Sequence, residues 1–251
     1  MSSGIYSALS GAVAQEKNLA VLANNVANVS THGYKADRVA FNEALAKQAQ
    51  GQPQRNISLH YAAVNRVQVD ESQGALEQTG RSLDFAILGD GLFTVRTQQG
   101  DRYTRAGSFL TDAQGVVRNQ LGDALLVEGE RDKPEGRELT IPPGSHDITV
   151  GEDGSISADG QNLGKLRLRS FQRPEDLQKA GATYFAPAQG VTPQQPAFVQ
   201  ITQGALETAN LNAVQGLNEL ITVSRSFDAL QKVIQTFRAV DERTAREMAG
   251  R

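Results

Sequence analysis

"ALETANLNAVQGLNELITVSRSFDALQKVIQTF", residues 205–237, decides the fold. Leu206, Ala209, Ala213, Gly216, Leu220, Val223, Phe227, Leu230, Ile234 and Phe237 recur at alternating spacings of three and four. That repeat keeps one side of an α-helix apolar along its whole length. With Asn210 or Asn212 placed to accept the first free amides as N-cap, the spacing predicts a helix running almost to the C-terminus. Val214, Leu217, Ile221, Val233 and Val240 lie outside the seam, so the apolar stripe is wider than one partner helix covers.

The other end of the chain carries a related pattern. Ile5, Leu9, Ala12, Leu19, Ala23 and Val26 follow the same alternation, with Glu16 out of character, and predict a helix of about 28 residues. Asn24, Asn25 and Asn28 stand on this helix although it has almost no charge. An amide buried between helices fixes register at some cost in stability, which is the role expected of Asn24 or Asn25. Asn28 and Gly33 suit the helix end and a turn with φ > 0, and Tyr34 suits a cover over that exit.

Between the helices the period changes. "LDFAILGDGLFTVRTQQGDRYTRAGSFLTDAQGVVRNQLGDALLV", residues 83–127, sets short β-branched and aromatic runs between glycines, the punctuation of antiparallel hairpins. Gly89-Asp90-Gly91 reads as one such hairpin turn. "ITVGEDGSISADGQNLGKLRLRSF", residues 148–171, repeats the cadence, Asp153-Gly154 echoing Gln114-Gly115, and reads as more of the same sheet. Residues 46–58 and 186–197 are polar or proline-rich and read as linkers or surface loops. The fold class expected is α+β: long N- and C-terminal helices pairing as a coiled coil, with a central antiparallel β-rich domain. The divisions are 1–45 (helix and following extended segment), 46–205 (β-rich domain) and 206–251 (heptad helix).

Composition narrows function. The 251 residues hold 25 basic and 28 acidic side chains, a net charge of −3 and no cysteine. No basic face exists to track phosphates, and disulfides and thiolate chemistry are excluded. No run of 18 apolar residues occurs, so no stable membrane insertion is expected. The N-terminus lacks the early basic residues and unbroken apolar run of a secretory signal. His32, His60 and His146 fall at no metal-ligand spacing, and neither a nucleophile elbow nor a phosphate loop occurs. No catalytic, cofactor-binding or metal-binding residue is therefore expected, and the chain reads as no enzyme. A lone helix cannot bury such a stripe in water, so ordering of the terminal segments is expected to accompany assembly. Two classes stand: a subunit that polymerises through its terminal helices, and a monomeric secreted binding module whose helices fold back on the β domain.

Specific motifs favour the first. "YSALSGAVAQEKNLAVLANNVANVSTHGYKADRVAF" at residues 6–41, "LDFAILGDGLFTV" with "RYTRAGSFLTDAQGVV" in the centre, and "GALETANLNAVQGLNELITVSRSFDALQKVIQTFRAVDE" at residues 204–242 resemble, in order, the three signatures of the flagellar rod and hook axial proteins. His32 stands where that family usually has proline, and Leu92-Phe93 replaces its aromatic pair. The length, the short 46–70 segment and "GALEQTGRSLDFAI" look most like the proximal rod members, with the distal rod members close competitors. The resemblance implies a structural subunit of the basal-body rod, the drive shaft crossing the periplasm, without cofactor. It implies assembly with copies of itself and related rod proteins, and export through the flagellar type III apparatus without a cleaved signal. The expected assembly interface comprises Ile5, Leu9, Leu19, Leu22, Asn24, Asn25, Val26, Asn28, Gly33 and Tyr34 from the first segment. From the last it takes Leu206, Asn210, Leu217, Leu220, Val223, Phe227, Leu230, Ile234 and Phe237.

Overall fold

A computed structural model describes residues 3–46, 59–129, 136–145, 147–173 and 176–249. The fold is α+β, with a helix at each end of the chain and antiparallel sheets between them. It divides into two compact units: unit 1 is Met1–Ala27, Asp37–Gln68 and Asn212–Arg251, and unit 2 is Asn28–Ala36 and Val69–Leu211.

Unit 1 consists of α1 (Ser3–Ala27), the two-stranded sheet of β1 (Asp37–Ala46) and β2 (Leu59–Val69), and α2 (Ala213–Ala249). Most of the polar stretch 46–58 lies outside the described residues. The helices run antiparallel: Gly4 meets the Phe237 ring, Gly11 meets Leu230, and Val26 meets Gly216. These glycines are what bring the helices close. A Cβ added to Gly4 would stand 3.2 Å from the Phe237 ring, and one on Gly216 would stand 3.1 Å from Val26 Cγ2. Both helices are formed over their described lengths, and each covers one face of the other. No helix among the described residues is long and apolar enough to cross a membrane.

α2 begins at Ala213, directly after the second of the two expected N-cap positions. Asn212 is its N-cap, its Oδ1 accepting from the amides of Val214 at 2.9 Å and Gln215 at 3.2 Å. Leu206 and Ala209 match the heptad spacing, yet Ala205–Glu207 is a strand. Gly204 turns the chain at φ 74, and the backbone that follows is taken up by a ladder, Leu206 opposite Glu77.

Unit 2 holds the remaining strands: β3 (Leu76–Gln78), β4 (Phe85–Gly89), β5 (Leu92–Thr97), β6 (Gly100–Thr104), β7 (Phe109–Thr111), β8 (Val117–Asn119), β9 (Ala124–Val127) and β10 (Arg137–Glu138), followed by β11 (Ile148–Val150), β12 (Ser155–Ala158), β13 (Gln161–Lys165), β14 (Leu168–Arg169), β15 (Leu177–Lys179), β16 (Tyr184–Pro187), β17 (Val199–Gln203) and β18 (Ala205–Glu207). The main sheet runs β15-β16-β6-β5-β9-β8-β7, with β10 on β9 and β14 on β5. β11-β12-β13 form a sheet of their own, which corrects the expectation of one continuous sheet. Its Val150, Ile156 and Leu163 nevertheless share one core with Phe85, Phe93, Phe109 and Leu125, and backbone bonds from Glu128 N–H to Lys165 O and from Arg167 N–H to Leu126 O link the end of β13 to the β9 segment. Gly89-Asp90-Gly91 is likewise no hairpin: β4 pairs with β17 and β5 with β6, and the bend carries the chain between two sheets. Gly115 and Gly154 do repeat one turn, at φ 85 each, donating back to Asp112 O and Gly151 O. Of the stretch 186–197, the first two residues end β16 and the rest is a loop tied to the body of unit 2, where Gln194 exchanges backbone bonds with Ser170.

Candidate assembly surface

The two faces of α2 differ in a way the sequence dictates. Ala213, Gly216, Leu220, Val223, Phe227, Leu230, Ile234 and Phe237 are half-buried, the side turned to α1 at each mapped contact. Val214, Leu217, Ile221, Val233 and Val240 are exposed, Val214 at 68%. On α1 four of the six expected seam positions, Ile5, Ala12, Leu19 and Val26, are buried or half-buried, and Leu9 and Ala23 are exposed. Ala8, Ala12, Ala14 and Asn25 are buried, Ile5, Leu19, Leu22 and Val26 are half-buried, and Asn24 is exposed. Leu9 is 51% exposed beside Tyr6 and Val13. Gly4 and Gly11 admit Phe237 and Leu230 to close contact, and Ala8 and Ala12 on the same side of α1 are buried. The pair therefore carries two exposed apolar stripes, Tyr6, Leu9 and Val13 on α1 and Val214, Leu217 and Ile221 on α2. Single exposed apolar residues are ordinary, whereas continuous stripes mark contact surfaces.

Asn25 is committed within its own chain. Its Nδ2 donates to Asp37 O at 2.8 Å and its Oδ1 accepts from Asp37 N–H at 2.9 Å. The amide pins the start of β1 to α1. Asn28 accepts from Thr31 through its backbone carbonyl at 3.0 Å, closing the turn after α1.

In unit 2, Gly33, Tyr34 and Leu206 are buried and Asn210 is half-buried. Gly33 has φ 70, and its amide donates to Glu207 O at 2.7 Å. A Cβ there would stand 2.2 Å from Ala106 N. Gly33→Ala should therefore destabilise unit 2 by about 1–3 kcal/mol, from the left-handed backbone and the overlap together. Urea unfolding followed by the tyrosine near-ultraviolet signal checks this, and an unchanged midpoint would show that the turn is free to relax. Tyr34 is fully buried, with Lys179 Nζ 4.2 Å from its ring centre. Asn210 is a hub for the chain segments that enter and leave unit 2. It accepts from Ala36 N–H at 2.8 Å and donates to Asp70 O at 2.8 Å and Ser72 O at 3.1 Å.

Sequence reasoning missed the ionic cluster beside this hub. Glu207, 1% exposed, accepts from Lys35 Nζ at 2.6 Å, Arg105 Nη1 at 3.2 Å and Gly74 N–H at 2.9 Å. Lys35 also donates to Ser72 O at 2.7 Å, and Arg105 to Ile87 O at 3.0 Å and Gly89 O at 2.6 Å. Burial pushes both Lys35 and Arg105 below their ordinary pKa values, and the Glu207 carboxylate opposes this. The available signal was a charge inside otherwise small, uncharged motifs, Lys35 after Gly-Tyr and Glu207 after Ala-Leu. Each charged side chain of this cluster is bonded to at least two groups of the chain. Among the described residues, no group of three or more His, Cys, Asp or Glu is placed to hold a metal ion.

The motifs that build this geometry have counterparts in known proteins. Residues 5–35 match the family described as flagella basal body rod protein. Residues 86–158 match the flagellar hook protein FlgE/F/G D1 domain, and residues 202–247 the flagellar basal body rod FlgEFG protein C-terminal family. The chain is 30% identical over 241 residues to the flagellar basal-body rod protein FlgF of Caulobacter vibrioides, covering 93% of each. It is 33% identical over 256 residues to the flagellar basal-body rod protein FlgG of Agrobacterium fabrum, covering 91% of this chain and 93% of the relative. It is also 33% identical over 229 residues to FlgF of Rhizobium meliloti, covering 91% and 90%. With all three segments matched in order and a relative 30% identical over 93% of each chain, the chain belongs to the flagellar basal-body rod protein family.

Proposed function

We propose that this chain is a structural subunit of the flagellar basal-body rod, of the proximal, FlgF-like kind, and that it polymerises through its terminal helices. The observation that carries this is the pair of exposed apolar stripes on α1 and α2, Tyr6, Leu9 and Val13 with Val214, Leu217 and Ile221. Family membership supplies the partners, further copies and related rod proteins, and the place, the rod crossing the periplasm. In the assembled rod α1 and α2 act as a two-helix coiled coil whose outer stripes meet neighbouring subunits. Residues 1–45 and 206–251 serve assembly, and residues 46–205 form the β-rich body. Export runs through the flagellar type III apparatus without a cleaved signal. The chain is a structural protein rather than an enzyme.

The experiment is recovery. Basal bodies isolated from cells expressing an epitope-tagged chain should contain it in the rod fraction, and cells lacking the gene should be non-motile with truncated rods. Full rods and normal swimming without the chain would overturn the reading. A distal position is distinguished by where the rod stops in the deletion strain.

A further inference from the structure

Unit 2 holds a cavity of about 160 Å³ beside β5, β15 and β16. Leu92 of β5, Leu177 of β15, Phe185 of β16 and Phe171 form its apolar wall, within a cluster of their own apart from the main core. Packing fixes that wall. Leu92, Leu177 and Phe185 are buried, and Phe171 is braced edge-on against Tyr103 with ring centres 5.2 Å apart.

Four charged residues complete the lining, Lys35, Arg105, Glu71 and Asp90. The two cations are buried and committed, donating to Glu207 and to the carbonyls of Ser72, Ile87 and Gly89. Glu71 and Asp90 are exposed, which places them at the mouth. Among the described residues neither of these carboxylates forms a hydrogen bond or an ion pair. Counted with Glu207, two cations stand among three carboxylates, and one negative charge is left uncompensated. Burial pushes the Glu71 carboxyl above its ordinary pKa, and Asp90 adds to this against the opposing pull of Arg105 and Lys35.

The lining selects the ligand class. An anion would meet two cations whose donors already serve Glu207 and the backbone. A bare hard cation calls for six or more oxygen ligands, whereas two carboxylates beside a hydrocarbon wall supply few. A positive head on a short apolar stem satisfies both parts of the lining, since the stem covers apolar surface while the head stays among the carboxylates near water. An apolar pocket with a few placed polar groups is the usual form of a small-molecule site. We propose that this cavity binds an alkylammonium group, its head between Glu71 and Asp90 and its stem along Leu92, Phe171, Leu177 and Phe185. The site lies wholly in the β-rich body, so it goes beyond the reading of the terminal helices as assembly elements and does not depend on it.

Methyl NMR of the leucine-labelled full-length chain tests this, with n-pentylammonium chloride titrated at constant ionic strength. The Leu92 and Leu177 methyl signals should shift saturably. n-Pentanol, which lacks the charge, and methylammonium, which lacks the stem, should each bind at least fivefold more weakly. Glu71→Gln with Asp90→Asn should weaken pentylammonium binding at least fivefold and leave the Leu125 and Leu166 signals of the main core in place. Phe171→Ala should bring pentylammonium down to the level of methylammonium. Nα-acetyl-lysine N-methylamide separates the sources: binding equal to that of pentylammonium assigns the cavity to the lysine side chain of a polypeptide, and rejection assigns it to free amines. Absence of a saturable shift would overturn the proposal. Equal binding of pentanol would reduce the cavity to an apolar crevice, and undiminished binding in either variant would place the amine elsewhere; both results overturn it as well.

Discussion

Glu207→Ala should cost unit 2 about 3–5 kcal/mol, the range for removing one partner from a buried ionic cluster. Glu207 is the one carboxylate bonded to both Lys35 and Arg105, which are 3% and 6% exposed. Without it two cations stay out of water, and desolvation, already the largest influence on each, acts with less opposition. The Gly74 amide loses its acceptor as well. Glu207→Gln keeps the shape but removes the charge and should recover only a small part of the loss. The pH dependence is specific. Lys35 sits below its ordinary 10.5 in the folded chain, so between the folded and unfolded pKa values the unfolded chain binds the additional proton. Stability then rises as pH climbs toward 10.5, and the penalty is present in full below the folded pKa. Losing Glu207 lowers the folded value further and widens that window. The deficit of Glu207→Ala should therefore be largest near pH 7 and narrow as pH rises, whereas Arg105 stays charged throughout. Urea unfolding of wild type and variant at pH 7 and pH 9.5 decides this. A loss under about 1 kcal/mol at pH 7, or a deficit that widens at high pH, would show that water replaces the carboxylate without difficulty.

What the sequence made legible follows from which signals are local. The α2 seam from Ala213 to Phe237 is readable because each apolar residue is large enough to register and the backbone is one uninterrupted helix. The seam of α1 is built on Gly4, Ala8, Gly11 and Ala12, residues whose value is the closeness they permit, and hydropathy counts them for little. Leu9 and Ala23 therefore took places in the predicted seam, while the structure exposes both. Leu206 and Ala209 were in phase by coincidence, since a strand of three residues cannot break a heptad count. Lys35 and Glu207 are 172 positions apart, and no periodicity connects residues at such a distance. Asn25 stood out in the sequence as an amide on a nearly chargeless helix. Its partner is a backbone twelve residues onward, which a helix-centred reading does not reach.

Ile221→Asp should leave the free chain folded yet reduce its incorporation into rods at least tenfold, because two faces of one helix carry separate tasks. Ile221 is 49% exposed, so a charge there stays in water and costs the monomer about 0.5 kcal/mol in helix propensity. In an assembly that buries the stripe, the same carboxylate must be desolvated without a partner, at a cost of several kcal/mol. A penalty of 1.4 kcal/mol already means a factor of ten in an equilibrium constant, so the loss should be plain even with partial burial. Leu230→Asp supplies the contrast. Leu230 Cδ1 lies 3.5 Å from where a Cβ on Gly11 would be, so this substitution strikes the α1–α2 contact and should destabilise the free chain by about 2–4 kcal/mol. Far-ultraviolet circular dichroism and thermal unfolding of the purified chains, set beside the amount recovered in isolated basal bodies, separate the two effects. If Ile221→Asp enters rods at the wild-type level, the outer stripe of α2 is not an assembly surface. If it unfolds as readily as Leu230→Asp, the exposed face contributes to the free chain after all, and the division of α2 into a pairing side and an assembling side fails.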